Sequence, residues 1–342
     1  MKIDFRSDTV TKPTEEMRKA MYDAELGDDV YGDDPTVNKL QELAAEKTGK
    51  ESALLVSSGT MSNLVAILAL AQRGDEAIVG DKSHIFLNEA SGASVLGGIS
   101  LRPVKNQEDG SIEFDDIENS INPIDPHKTK SSILCLENSH NLTGGQPLSP
   151  TQISELSDFG RKFNLNIHLD GARIFNSAVA LKVDLLDLTK SVDTIGFCLS
   201  KGLSCPIGSV ICGPEDFIKE ANRWRKMLGG GMRQAGVFAA AGIVGLNSMI
   251  DRMDEDHQNA KKLAFGLSEF SEIIIDPDRI KTNIVRFDLK EMDSDFFVSK
   301  LRENGVLVNG SVKTKNLRMV THYGIISEDI DYTIEKVSKI VN

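Results

Sequence analysis

A chain of 342 residues, 40% hydrophobic and 26% charged, has room for roughly two domains of about 150 residues each. Its composition is that of an ordinary globular protein, which excludes a small disulfide-stapled scaffold and a disordered or fibrous chain. Thirty-nine Lys and Arg against 51 Asp and Glu give a net charge of −12, a field that repels nucleic acid and acidic membrane surfaces, so an anionic ligand needs a local basic pocket.

In chain order, the first forty residues are polar and rich in Asp, Thr and Gly, as in Arg6-Ser-Asp-Thr-Val-Thr-Lys-Pro and Gly27-Asp-Asp-Val-Tyr-Gly-Asp-Asp-Pro. Such an arm cannot bury itself alone; it is expected over the main body, over a neighbouring subunit, or as an exposed loop. The start, Met1-Lys-Ile-Asp-Phe-Arg, lacks the apolar core and cleavage site of a signal peptide. No stretch approaches the ~18 apolar residues of a membrane span, so a cytoplasmic protein with no membrane partner is expected. Short apolar runs then alternate with longer amphipathic ones: Ala53–Val56, Met61–Ala71, Ala77–Val79, Ile133–Leu136, Ile167–Leu169, Thr194–Leu199 and Ser209–Cys212. The alternation predicts an α/β protein with a mainly parallel sheet covered by helices. Ser149-Pro-Thr-Gln opens a helix with an N-cap Ser and a Pro in the first turn, and Asp251–Phe270 reads as another helix. Beyond about residue 250 the pattern changes to short strands at Ile273–Ile275, Ile284–Phe287, Val306–Val308 and Leu317–Val320 around a helix Asp295–Asn304. That predicts a large domain over residues 1–250 and a smaller α+β domain over 251–342. No repeat of 20 to 50 residues is visible. Cys135, Cys198, Cys205 and Cys212 form no C-x-x-C pair and read as buried reduced thiols rather than a zinc site, and no metal is expected.

Three segments carry chemistry. Ser57-Ser-Gly-Thr-Met-Ser-Asn follows a strand and opens a helix, so the N–H groups of Gly59 and Thr60, with the Ser58 and Thr60 hydroxyls, either receive a phosphate or simply cap the helix. In Asn166-Ile-His-Leu-Asp-Gly-Ala-Arg the period of two puts His168 and Asp170 on one face at a strand's C-terminal end, where open α/β sheets collect ligands. Two ligands do not make a metal cage, and the other reading is a buried carboxylate paired with a heterocyclic cation. Lys201, in Leu199-Ser-Lys-Gly-Leu, follows an apolar strand and lies between apolar runs, and burial makes a lysine amine a usable nucleophile toward an aldehyde. An Asp on one strand and a Lys after a later one are what pyridoxal 5′-phosphate requires. No G-x-G-x-x-G follows a strand, which argues against a dinucleotide enzyme.

At this point the chain resembles the low-specificity L-threonine aldolases, pyridoxal phosphate enzymes of the aspartate aminotransferase fold (fold type I). The resemblance runs nearly end to end, through the two arm motifs quoted above, Ser58-Gly-Thr-Met-Ser-Asn, Leu136-Glu-Asn-Ser-His-Asn, His168-Leu-Asp-Gly-Ala-Arg, Leu199-Ser-Lys-Gly-Leu and Met227-Leu-Gly-Gly-Gly-Met-Arg-Gln-Ala-Gly. It implies a large domain with a mainly parallel seven-stranded sheet and a small C-terminal domain. It further implies that Lys201 holds the cofactor as a Schiff base, that Asp170 meets the pyridine nitrogen, and that Ser58, Gly59, Thr60 and Ser200 contact the phosphate. Arg233 resembles an arginine that reaches a neighbouring subunit's cofactor phosphate, which implies a homo-oligomer, a homotetramer, with its site near a subunit interface. His84 matches the imidazole stacked on the ring. Ser7, Arg173 and Arg318 match the clamp on the substrate carboxylate, Arg173 also standing by the cofactor, and Tyr31 lines the pocket. His127 matches a loop histidine that approaches the β-hydroxyl and influences threo against erythro preference. Asn88, in Phe86-Leu-Asn-Glu, stands where the family carries an aromatic residue, which bears on the aldehyde side.

The implied reaction is cleavage of a β-hydroxy-α-amino acid such as L-threonine or L-allo-threonine to glycine and an aldehyde, with His84, His127 or a water as base. A β-eliminating lyase or aminotransferase on the same fold, and a non-catalytic relative, are the rival readings.

Overall fold

The structure is a computed structural model that describes residues 2–311 and 314–341. The described residues form the strands β1 (Ile3–Asp4), β2 (Ser52–Val56), β3 (Asp75–Gly80), β4 (Ser100–Val104), β5 (Lys130–Glu137), β6 (Asn166–Asp170), β7 (Thr194–Cys198), β8 (Ser209–Gly213), β9 (Ile273–Ile274), β10 (Ile284–Leu289), β11 (Val306–Leu307), β12 (Asn309–Ser311) and β13 (Thr314–Val320). Seven of them form the central sheet in the order β2-β8-β7-β6-β5-β3-β4. The ladders β7-β6-β5-β3-β4 are parallel, and β8 runs antiparallel to both of its neighbours. This is the sheet the apolar runs predict. Every residue of β3, β7 and β8 is buried, as expected of strands covered by helices on both faces. The sequence reading passed over β4, whose Ser-Leu-Arg-Pro-Val is exposed or half-buried except at Val104; it is the edge strand, where a proline is tolerated and no apolar run is needed.

Helix starts follow the chemistry of their caps. Ser149 accepts from Gln152 N and Gln152 answers to the Ser149 backbone, a capping box with Pro150 in the first turn. The two expected C-terminal helices run over Met253–Ser268 and Ser294–Glu303.

A second, four-stranded sheet, β12-β13-β10-β9, carries its own core of Leu263, Phe287, Phe297, Leu317 and their neighbours. The N-terminal arm joins this core first: β1 pairs in parallel with β11, and Ile3 and Phe5 are buried there. The chain then crosses to the large sheet, where Asp8 meets Arg173. The arm therefore straps the two cores together within one chain.

Candidate active site

The loops at the C-terminal edge of the parallel strands gather the chemistry. Asp170 ends β6, Glu137 ends β5, His84 lies just past β3, and Lys201 lies just past β7. Carbonyl contacts fix the turn around Lys201: its O accepts from Ser204 N at 2.9 Å and from the Thr11 hydroxyl at 3.3 Å. Its half-buried side chain stands within electrostatic reach of Asp8 and His84, and among the described residues Nζ makes no hydrogen bond or ion pair.

Asp170 is buried, with Oδ1 accepting from Ala172 N at 3.0 Å and Oδ2 from the Asn63 amide at 2.9 Å. The same Asn63 nitrogen donates to Glu89 Oε1 at 2.7 Å. That arrangement orients the amide, so Asn63 Oδ1 faces His168 Nε2 at 3.2 Å while His168 Nδ1 faces the Thr194 hydroxyl at 2.9 Å. Both ring nitrogens of His168 are thus engaged, and burial pushes its pKa down to about 4, so the ring is neutral. It braces Asn63, which in turn braces Asp170, and the metal reading of His168 with Asp170 finds no free nitrogen.

His84 opens the short helix His84–Leu87, capped by Ser83. Its N–H donates to Glu137 Oε2 at 2.7 Å, and its Nδ1 lies 2.8 Å from Glu89 Oε1. The hydrogen bond to Glu89 raises the imidazole above its ordinary value against the opposing effect of burial, with Asp170 adding to the rise. Burial in turn raises the Glu89 carboxyl.

Arg173 is buried and faces Asp8 edge-on, Nε to Oδ2 at 2.7 Å and Nη2 to Oδ1 at 2.8 Å. Burial alone would raise Asp8, but the Arg173 charge and hydrogen bonds overcome it and hold the carboxyl well below the usual range. The edge of Arg173 that the sequence reading gave to a substrate is therefore taken by Asp8. Ser7 caps the turn Asp8–Val10, accepting from Thr9 N and donating to Asp8. Arg318 differs. Its Nη1 donates to Asn141 and its Nη2 to the Arg6 carbonyl, while Nε is buried without a partner. Burial, then Arg173, with Arg286 directly opposite in the β10–β13 ladder, push Arg318 down to about 10, so it stays cationic at neutral pH. A half-buried cation beside two others, its Nε buried and with no carboxylate at ion-pair distance among the described residues, favours an anion there.

Ser58 caps the helix Gly59–Leu70 by accepting from Met61 N, and the first intrahelical bond is made by Ser62 N to Ser58 O. The N–H groups of Gly59 and Thr60 precede it and open the helix toward the same edge of the sheet. Gly59 packs on the end of β7: a Cβ there would lie 2.8 Å from Cys198 Sγ. Ser200, half-buried, sits between that strand and Lys201.

Three expected residues are not brought to this cluster within one chain. His127 has an 89% exposed side chain and, among the described residues, bonds only Asp125. Tyr31 is 76% exposed beneath the Arg233 guanidinium, which pairs with Asp28. Conversely, the sequence reading missed Asp8, Asn63, Glu89, Glu137 and Asn141. All five stand inside motifs it quoted, Glu89 as the last residue of Phe86-Leu-Asn-Glu, which was the available signal.

Along nearly its whole length the chain is similar to known proteins. The family model described as beta-eliminating lyase matches residues 4–290. A low specificity L-threonine aldolase of Escherichia coli K12 is 44% identical over 328 residues, 96% of each chain. Low-specificity L-threonine aldolase 1 of Arabidopsis thaliana is 40% identical over 341 residues, 97% of this chain and 94% of the relative. Among solved structures, a Leishmania major threonine aldolase superposes with a TM-score of 0.82 at 17% identity, covering 99% of this chain and all of that one. A serine palmitoyltransferase of Sphingomonas wittichii superposes at 0.79 and 16% identity, covering 99% and 87%. These distant likenesses bear out the expected fold type I architecture.

Proposed function

We infer that this chain, which belongs to the low-specificity L-threonine aldolases within the beta-eliminating lyase family, is a pyridoxal phosphate-dependent carbon–carbon lyase. Its substrates are L-threonine, L-allo-threonine and related β-hydroxy-α-amino acids, and its products are glycine and an aldehyde, acetaldehyde from threonine. The observation that carries the reading is the Lys201 amine just past β7, without a hydrogen-bond or ion-pair partner among the described residues, together with a buried Asp170 at the end of the adjacent β6.

The residues fit the cofactor. Asn63 and Ala172 each take one lone pair of Asp170, and a carboxylate has others left for a ring N–H. Lys201 supplies the amine, His84 an imidazole for the ring face, and Ser58, Gly59, Thr60 and Ser200 the phosphate contacts. When bound, the cofactor supplies an electron sink for the pair released as the Cα–Cβ bond breaks. The chain does the rest. Arg318 holds the substrate carboxylate, Ser7 and the Asp8–Arg173 pair shape that end of the pocket, and a base near the β-hydroxyl takes its proton. His84 is the imidazole that this chain brings to the cluster.

We further propose a homo-oligomer, a homotetramer, in which the exposed Arg233 and Tyr31 reach a neighbouring copy's site, and in which His127 meets the β-hydroxyl and biases threo against erythro substrates. The separate core around the four-stranded sheet supports a boundary near residue 250, with Ile3 and Phe5 crossing back to it. No helix among the described residues is long and apolar enough to cross a membrane, and all four cysteines are free and buried, in keeping with cytoplasmic residence. Supplying the purified holoenzyme with each threonine diastereomer tests the reaction. Acetaldehyde and glycine are expected; pyruvate or 2-oxobutyrate would put the chain among the eliminating lyases or aminotransferases instead.

A further inference from the structure

Glu89 is a buried carboxylate whose only cationic partner at hydrogen-bond distance among the described residues is His84. A buried carboxylate with so little compensation is costly. The two residues after it, Ala90 and Ser91, adopt left-handed φ of 52° and 56°, each unfavourable for a residue with a Cβ. Its Oε1 receives both His84 Nδ1 at 2.8 Å and the Asn63 amide at 2.7 Å, and the three groups His84, Glu89 and Asp170 offer ligand atoms all within 4.8 Å of one another. A carboxylate at that distance accepts, so Nδ1 carries the proton, and the neutral ring keeps its lone pair on Nε2.

We propose that Glu89 is a positioning residue for the aldol cleavage: it fixes His84 as the Nδ1–H tautomer, leaves Nε2 to take the proton of the substrate's β-hydroxyl, and is tied through Asn63 to Asp170. The inference rests on the reaction proposed above. The hydroxyl proton goes to Nε2, and the O–H pair becomes the second C–O bond of the aldehyde. The Cα–Cβ pair stays with Cα, and one proton returned there gives glycine, so no oxidant or reductant is needed. Glu89 stays ionised opposite the imidazolium and offsets its charge. The other charged groups facing His84 are Asp170 from β6, Glu137 from β5 through the backbone N–H, and Lys201 after β7. Glu89 and Asp170 thus favour the imidazolium, and burial and the Lys201 amine oppose it.

Glu89→Gln and Glu89→Asp, prepared as holoenzymes, test this. A base works in its neutral form, so the acidic limb of kcat/KM for L-threonine reports its ionisation. Removing the carboxylate is expected to move that limb about one pH unit lower and to reduce kcat about tenfold, with Glu89→Asp restoring part of both. Heteronuclear NMR of the histidine rings should show the Nδ1–H tautomer of His84 in the native holoenzyme and its loss in Glu89→Gln. An unmoved limb, an unchanged His84 tautomer, or loss of the folded holoenzyme in both variants would overturn the proposal. The ring measurement needs no substrate, so a native enzyme that releases no acetaldehyde but keeps the Glu89-dependent tautomer sinks the aldolase reading and not the dyad.

Discussion

The Arg173 guanidinium closes edge-on over the Asp8 carboxylate, with hydrogen bonds of 2.7 and 2.8 Å between residues that are both buried. One partner belongs to the N-terminal arm and the other to the turn after β6, so the pair fastens the arm to the sheet where the site lies. Breaking such a pair leaves an uncompensated buried charge, which costs about 3–5 kcal/mol. Asp8→Asn should therefore unfold at lower urea concentration at pH 7. The Asp8 carboxyl is held below its unfolded value, so its stabilisation is full above pH ~4 and fades as the pH falls further. The gap between native protein and Asp8→Asn should narrow on acidification below that point; a gap constant from pH 7 to pH 3 would refute the ion-pair account.

The role proposed for Arg318, holding the substrate carboxylate, draws on its Nε, which is buried without a partner among the described residues. A hydrogen bond to a charged group contributes roughly 1.5–3 kcal/mol. Arg318→Leu should raise KM for L-threonine by roughly 10- to 100-fold, with a smaller change in kcat, because the carboxylate is held alike before and during bond cleavage. Arg318→Lys should recover only part, since a point charge does not reproduce the planar fork. Steady-state kinetics on both threonine diastereomers decide it, and a KM unchanged in Arg318→Leu would move the carboxylate elsewhere.

Lys201→Ala should abolish turnover while leaving the fold intact. Among the described residues no hydrogen bond or ion pair depends on the Lys201 amine, and the turn is held by its carbonyl through Ser204 and Thr11. Circular dichroism should match the native protein, and cofactor should no longer be retained after borohydride treatment and denaturation. Undiminished activity would refute the assignment.

How much of this was legible follows from where each residue sits. Lys201 and Asp170 stand at the ends of buried strands, and an apolar run followed by a polar residue at a sheet edge announces itself. Asp8 and Arg173 are 165 positions apart, and no local pattern pairs them. Glu89 reaches His84 from five positions away, across the short helix His84–Leu87 and its cap Asn88, a spacing that no helical or strand periodicity marks as a contact. The edge strand β4 was invisible because such strands need no apolar face. Arg173 stands in a conspicuous motif, but its pairing with Asp8 through Nε and Nη2 was not announced by that motif.

The brace behind Asp170 gives a final expectation. Thr194 holds His168, His168 holds Asn63, and Asn63 holds both Asp170 and Glu89. With burial pushing His168 down to about 4, the ring is neutral through the working range and supplies direction rather than charge. Asp170→Asn removes the charge that would meet the ring nitrogen, and the loss of such preorganised electrostatic stabilisation costs on the order of 10²- to 10³-fold in kcat. His168→Phe keeps the Asp170 charge and frees only the brace, leaving Asn63 Oδ1 buried without its donor. It should therefore cost stability, about 1–3 kcal/mol for the unsatisfied group, and lower kcat far less than Asp170→Asn does. Urea unfolding beside kcat for the two holoenzymes separates the roles; equal losses of kcat would mean that His168 acts on the chemistry and not only on the carboxylate's position.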